Sequence, residues 1–393
     1  MTNQTCHILD PEGDVVLVLQ NPCAPFAVWD LSEKASIQGL NACETENPRS
    51  PEPMLVSATQ LMYNEELGLA NEVEASEEPG LGEEPLTIDT MPPPDRCQEN
   101  TFNGEQVESV DTETLPIKFI LSSRHLILAS TYFNTKLKGP WKEATVDSTD
   151  GRFYVEASEW DDQAMLLLMR VIHGHNRKVS REITLEMLAK IAVLVDYYGC
   201  HEAVELVAGI WIDSLKGCIP LQCNRDLILW LLISSVFHQR DLFQLVTKTA
   251  IQESRAPLPS LELPISLNVI ATIDHRRQEA IGSLVKGLGS LVTTLRKGSS
   301  ECNSFECSSI LLGALSKQLY THKLSQPKLK PPYHGYSLTT ALETVRAFRS
   351  PIWAIPNQST TWGFGHGCSL GNLTETVLDP IQRELAGLIL EDN

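Results

Sequence analysis

The spacing of apolar positions changes along the chain, and each change marks a different kind of element. From Asp14 to Gln20 the run DVVLVLQ is almost continuously apolar, preceded by Pro11 and Gly13 and ended by Asn21 and Pro22, which reads as a short buried strand. Strand-like patterning returns at Ile117–Leu121 and passes into helical spacing, in which Leu126, Leu128, Ala129, Tyr132, Phe133 and Leu137 recur mostly at three- and four-residue steps. Arg152 to Ala157 (RFYVEA), just after Asp150-Gly151, predicts a further strand. Asp161 and Asp162 supply an N-cap for a helix bearing Ala164, Leu167, Leu168, Val171 and Ile172, broken at Gly174. Thr184 opens the next helix, whose Leu188, Ile191, Ala192, Val195 and Tyr198 share one face and whose stop is Gly199, and His201 to Lys216 gives another.

From Asn224 onward the strand pattern is lost. Asn224 to Phe237, Arg240 to Gln252, Ser266 to Leu295, Ser308 to Leu324, Ser337 to Phe348 and Asn372 to Leu390 each carry helical spacing, separated by Pro, Gly or short polar stretches. Residues 224–393 therefore read as an all-helical C-terminal region, with no periodic self-similarity that would make it a solenoid.

Charge alters this picture at one place. The chain of 393 residues has a net charge of -19, and about 16 of those charges fall in residues 31–115, where acids outnumber bases roughly sixfold. Rich in Glu and Pro and poor in apolar residues, that segment cannot bury enough surface to offset chain entropy, and it reads as a disordered insertion in the first hairpin. Closing so long a loop costs only about 0.6 kcal/mol per doubling of its length. Within it Met54 to Ala70 is apolar enough to form a transient partner-docking helix, the plain alternative being linker. No basic patch capable of releasing counterions is present, so direct nucleic-acid binding is not expected. The N-terminal MTNQTCHILDPEGD lacks the build of a secretory signal, and the longest apolar run, Leu227 to Phe237, is too short for a bilayer. With ten scattered cysteines, the expectation is an intracellular protein, cytoplasmic or nuclear, with reduced thiols and no membrane partner.

Enzyme templates find no match. There is no phosphate-cradling G-x-x-x-x-G-K-[ST] and no G-x-S-x-G after a strand, and Gly363, Gly365 and Gly367 read as a flexible turn rather than a dinucleotide loop. His173 and His175, at a helix end, suit cations near a helix C-terminus. Cys302, Cys307, His366 and Cys368 offer a donor set for a structural zinc, but their spacing is not that of a strong zinc pattern and favours reduced, unligated cysteines. Apart from that zinc no cofactor is expected.

Phe119, Leu126, Ser130 and Phe133 fall on a pattern F-x-x-H-[KR]-x-x-L-x-x-x-S-x-x-F that resembles the BTB (POZ) domain, and the trailing GPWKEA resembles the version common in fungal BTB proteins. Asp14, Val15, Leu17 and Leu19 fit the family's first strand. The resemblance covers about Asp10 to Lys216 apart from the insertion. It implies an α+β BTB/POZ domain, a small mixed sheet capped by helical hairpins, divided between residues 1–30 and 116–217 and followed by the all-α region. What it implies for function is non-enzymatic protein–protein interaction by a self-associating scaffold or adaptor, with Leu126, Tyr132 and Phe133 on the dimer face or else in the core.

Trp141 and Glu143 resemble the apolar-x-Glu element with which some BTB adaptors engage cullin scaffolds of ubiquitin ligases; the alternative is that Trp141 fills a pocket within its own domain. Asp14 matches the acid of the pocket used by transcriptional BTB proteins, although Ser123 stands at the basic position and Arg124 follows one step late. A transcriptional regulator acting through a DNA-binding partner is the reading from another class.

Overall fold

In the computed structural model residues 5–29, 115–298, 304–324, 329–352 and 368–390 are described. The acidic segment, the Met54–Ala70 stretch and the glycine run at 363–367 lie outside them.

Four strands form a mixed sheet: β1 (Cys6–Ile8), β2 (Val15–Gln20), β3 (Ile117–Leu121) and β4 (Phe153–Ser158), in the order β1-β3-β2-β4. β2 and β3 pair antiparallel with Val15 opposite Leu121, so the long segment between them does interrupt a hairpin. β1 and β4 add on in parallel at the two edges. β1 is an addition to the sequence reading, because its three residues are half exposed and carry no apolar run to announce them. At Gly13 a Cβ would stand 2.6 Å from the Leu121 carbonyl oxygen, so only glycine lets the chain turn into β2 this closely.

The helical pattern after β3 is two helices rather than one. α1 (Ser123–Ala129) ends and α2 (Thr131–Lys138) begins at Ser130, whose backbone is extended (φ -139°, ψ 126°). Its hydroxyl accepts the Phe133 N–H (3.1 Å) and donates to the Tyr198 carbonyl, so the break is a capped corner. Leu128, expected on the buried face, is 88% exposed as a result of that turn.

α3 (Asp162–Ile172), α4 (Leu185–Tyr198) and α5 (His201–Leu215) follow β4. Asp161 caps α3 through the Gln163 and Ala164 N–H groups, and Thr184 caps α4 through that of Met187. α6 (Arg225–Val236) explains the longest apolar run: every residue from Leu227 to Ser234 is buried, because it is enclosed between α4 and α7 (Arg240–Glu253). Among the described residues no helix is long and apolar enough to cross a membrane.

The remaining helices are α8 (Leu267–Arg296), α9 (Phe305–Thr321), α10 (Leu338–Arg346) and α11 (Leu370–Glu384). Two apolar cores result. One joins the sheet to α1 through α7 and reaches Ile273, and the other is built from the later part of α8 with α9, α10 and α11. The core thus runs unbroken across residues 217–224, where the sequence suggests a domain boundary, and changes instead midway along α8. Arg277 lies at that change, fully buried, with its guanidinium donating to Asp274 Oδ1 and to the carbonyls of Pro332, Tyr333 and Tyr336.

Candidate protein-interaction site

Trp141 follows α2 because Gly139 and Pro140 end the helix, and its indole is about half exposed (47%). The side chain does not fill an internal pocket. It lies against Lys136, whose ammonium is 4.3 Å from the ring centroid and 3.8 Å from Glu143 Oε1. One lysine from the last turns of α2 thus fixes both members of the Trp-x-Glu element. The Glu143 side chain is largely covered (13% exposed), while neighbouring Lys142 pairs with Glu156 of β4 in the open.

The three residues expected on a dimer face do not share one. Leu126 and Phe133 have no exposed surface and belong to the first core, the face of α1 and α2 that meets the sheet and α4. Tyr132 is partly exposed and touches Phe133, Tyr197 and Tyr198 at ring distances of 5.2–5.3 Å. Burial, with Tyr197 beside it, pushes its phenol up to about 12.

Asp14 is occupied within the domain. Its carboxylate accepts the Ser123 amide (2.7 Å) and hydroxyl (2.6 Å), holding the first turn of α1 onto the start of β2. Burial pushes the Asp14 pKa up, but the two Ser123 bonds outweigh it and leave the group below its ordinary value. Ser123 therefore works as the acid's partner, and a basic residue is absent from that position.

His173 corrects another expectation. It is buried, and its Nε2 accepts the Ser122 N–H (3.0 Å), which requires the proton to sit on Nδ1 and be donated to the Met169 carbonyl (2.8 Å). Burial lowers its pKa, and the stacked His125 ring 5.1 Å away adds to this. It is a neutral structural histidine. The end of α3 is closed instead by Gly174 in the left-handed conformation, with the His175 amide on the Arg170 carbonyl.

Of the zinc donors proposed from sequence, Cys302 and His366 lie outside the described residues. Cys307, at the start of α9, and Cys368, just before α11, are both buried in the second core. Among the described residues no group of three or more metal-ligating side chains is assembled.

Beyond Tyr132 the aromatic surface continues through Tyr197 to Trp160 (5.2 Å) and reaches a cleft of about 580 Å³. The cleft lies between the loop after β2, the end of β4, α4 and the Leu261–Leu263 turn. Lys190 of α4 crosses its floor, 5.6 Å from the Phe26 ring centroid and 2.9 Å from both Asp161 and Glu186. Burial would lower the Lys190 pKa, but the bonds to Glu186 and Asp161 raise it above its ordinary value, so its charge is held and matched within the fold. Left-handed backbone at residues other than glycine concentrates here: Ala27, Glu159, Leu261 and Glu262 line the cleft, and Asn21 and Cys23 lie in the loop leading to it. Such conformations cost of order 1–3 kcal/mol each and gather at functional sites. None of this was visible in the sequence, because the contributing residues come from four separate segments; the clustering of Trp160, Tyr197 and Tyr198 near helix ends was the only hint.

No known protein-family model matches the chain, and no curated protein matches it.

Proposed function

We propose that the chain is a non-enzymatic protein-interaction module of the BTB type, extended by a helical region. The observation that carries the reading is the exposed Trp141 held by Lys136 beside Glu143: a rigid aromatic anchor next to a carboxylate, directly after the second helix, is the build of an interface hot spot. The mixed sheet with helices packed against it, and the interruption of the β2–β3 hairpin, agree with the same reading. Self-association remains part of it, but with Leu126 and Phe133 in the core the contact must use other residues. The position of the Trp-x-Glu element favours, as the more specific role, an adaptor that engages a cullin scaffold. A transcriptional role through a DNA-binding partner finds less support, since Asp14 is already taken by Ser123.

The test is light scattering of the full chain beside a Trp141→Ala, Glu143→Ala double variant, with retention of a cullin N-terminal domain measured for both. The adaptor role requires retention by the wild type and its loss in a variant of unchanged mass and circular dichroism. A monomeric wild type that retains no cullin overturns both the adaptor role and self-association.

A further inference from the structure

The cleft beside Trp160 has chemistry of its own. Its aromatic walls, Phe26, Trp160 and Tyr197, come from three separate segments, and acids stand among them. Of the charged residues lining it, Glu156, Glu159, Asp161 and Glu262 are negative and Lys190 alone is positive. Lys190 is already neutralised by Asp161 and Glu186, and Glu156 is engaged by Lys142. That leaves Glu159 and Glu262, both exposed and without a cationic partner among the described residues. Lys190 demonstrates what the site accepts, since the fold itself places an ammonium against an aromatic face between carboxylates on the cleft floor.

We propose that this cleft binds the lysine or arginine side chain of a basic, extended segment of a protein partner. Trp160 and Tyr197 provide aromatic faces, and Glu159 and Glu262 the countercharge. The volume exceeds that of one long side chain and leaves room for the residues flanking it. The cleft opens at the end of β4, an edge strand that among the described residues pairs with β2 alone, so an extended segment can continue from the cleft along that end of the strand by strand addition. An anionic segment is disfavoured by the same uncompensated acids. The proposal rests on the reading of the chain as an interaction module and supplies the chemistry of one partner.

Calorimetric titration of the full chain at about 0.15 M salt tests it, using a blocked Gly-Ser-Gly-Arg-Gly-Ser-Gly peptide and its citrulline counterpart, which keeps the shape and removes the charge. The arginine peptide is expected to bind saturably with one site, and the citrulline peptide about tenfold or more weaker. Glu159→Gln with Glu262→Gln, and separately Tyr197→Ala, should each weaken the arginine peptide by about the same factor; all these side chains are exposed, so folding is preserved and circular dichroism checks it. Equal binding of both peptides overturns the proposal. So does unchanged affinity in the double glutamine variant, which alters the net charge of the chain little and would assign the binding to its general acidity. Absence of saturable binding overturns it as well. Trp141→Ala is expected to leave peptide binding intact, so loss of cullin retention with the peptide still bound counts against the adaptor reading alone, and the reverse result against this one alone.

Discussion

The ring of Phe133 lies flat against that of Tyr198, with centroids 5.0 Å apart and planes 7° from parallel. Around this pair the start of α2 is joined to the end of α4. Ser130 caps α2 and donates to the Tyr198 carbonyl, and the Thr131 amide donates to the Gly199 carbonyl. Gly199 is left-handed (φ 57°) and faces the Thr131 hydroxyl so closely that a Cβ would collide with it. The S-x-x-F part of the motif is thus a packing device, in which the serine turns the chain and the phenylalanine fills the space the turn creates.

Phe133→Ala should cost about 3–5 kcal/mol, the range for emptying a large aromatic site in a core. Ser130→Ala should cost about 2–3 kcal/mol, a lost N-cap of about 1 kcal/mol together with a buried Tyr198 carbonyl left unbonded. Urea unfolding midpoints with unchanged slopes measure both. A loss below about 0.5 kcal/mol for Ser130→Ala would show that the corner is held by apolar packing alone.

His173 gives the fold a dependence on pH below the ordinary histidine value of 6.5. An imidazole whose pKa falls on folding binds its proton more readily in the unfolded chain, so its contribution is complete above the unfolded value of 6.5 and is lost as pH falls toward the lowered folded value. The depressed carboxylates Asp14, Asp161 and Glu186 act at lower pH, through and below their ordinary values of 3.8 and 4.5. His7 and His201 also have lowered pKa values through burial and contribute to the same window. Stability should therefore decline as pH falls below 6.5, and His173→Gln should flatten part of that slope. Urea midpoints at several pH values test this; an unchanged slope would place the effect on His7 and His201.

Arg277 ties the loop before α10 to α8. All its donors are directed at Asp274 and at the carbonyls of Pro332, Tyr333 and Tyr336, in a position with no exposure. Arg277→Met leaves the Asp274 carboxylate and three carbonyls without their partner, which should cost about 3–5 kcal/mol. Amide exchange should quicken in residues 329–337 and in α10 while the sheet stays protected. Uniform quickening across the chain would show that the two cores unfold as one.

Much of the fold was legible where period and punctuation agree: Thr184 and Gly199 bound α4 as their chemistry requires, and Asp161 caps α3. The corner at Ser130 was missed because its cause is a bond to Tyr198, distant in sequence. His173 was misread for a related reason, since its acceptor role is set by the Ser122 amide from across the fold. At the site, Trp141 and Glu143 stood out as a local motif, whereas Lys136, which fixes them, precedes the motif and resembles any surface lysine. The cleft at Trp160 joins four segments that only the folded chain brings together.

The C-terminal residues connect the two cores. α11 belongs to the second core, yet Leu388, a few residues beyond it, is buried in the first. Its amide donates to Thr247 Oγ1 (2.8 Å), whose hydroxyl in turn donates to the Phe243 carbonyl (2.7 Å). Gly387 passes so near the Gln244 carbonyl that a Cβ there would overlap it, and the opposing atom is backbone of α7 that cannot swing aside. Gly387→Ala should therefore lift residues 385–390 from α7 and forfeit the burial of Leu388, at a cost of about 2–5 kcal/mol, comparable to Leu388→Ala. The two variants differ in one respect. Leu388→Ala keeps the backbone seated, so the Leu388 amide stays protected from exchange; Gly387→Ala exposes it. Equal protection in Gly387→Ala and the wild type would mean that α7 yields to the added methyl, and that the close approach is not what holds the tail in place.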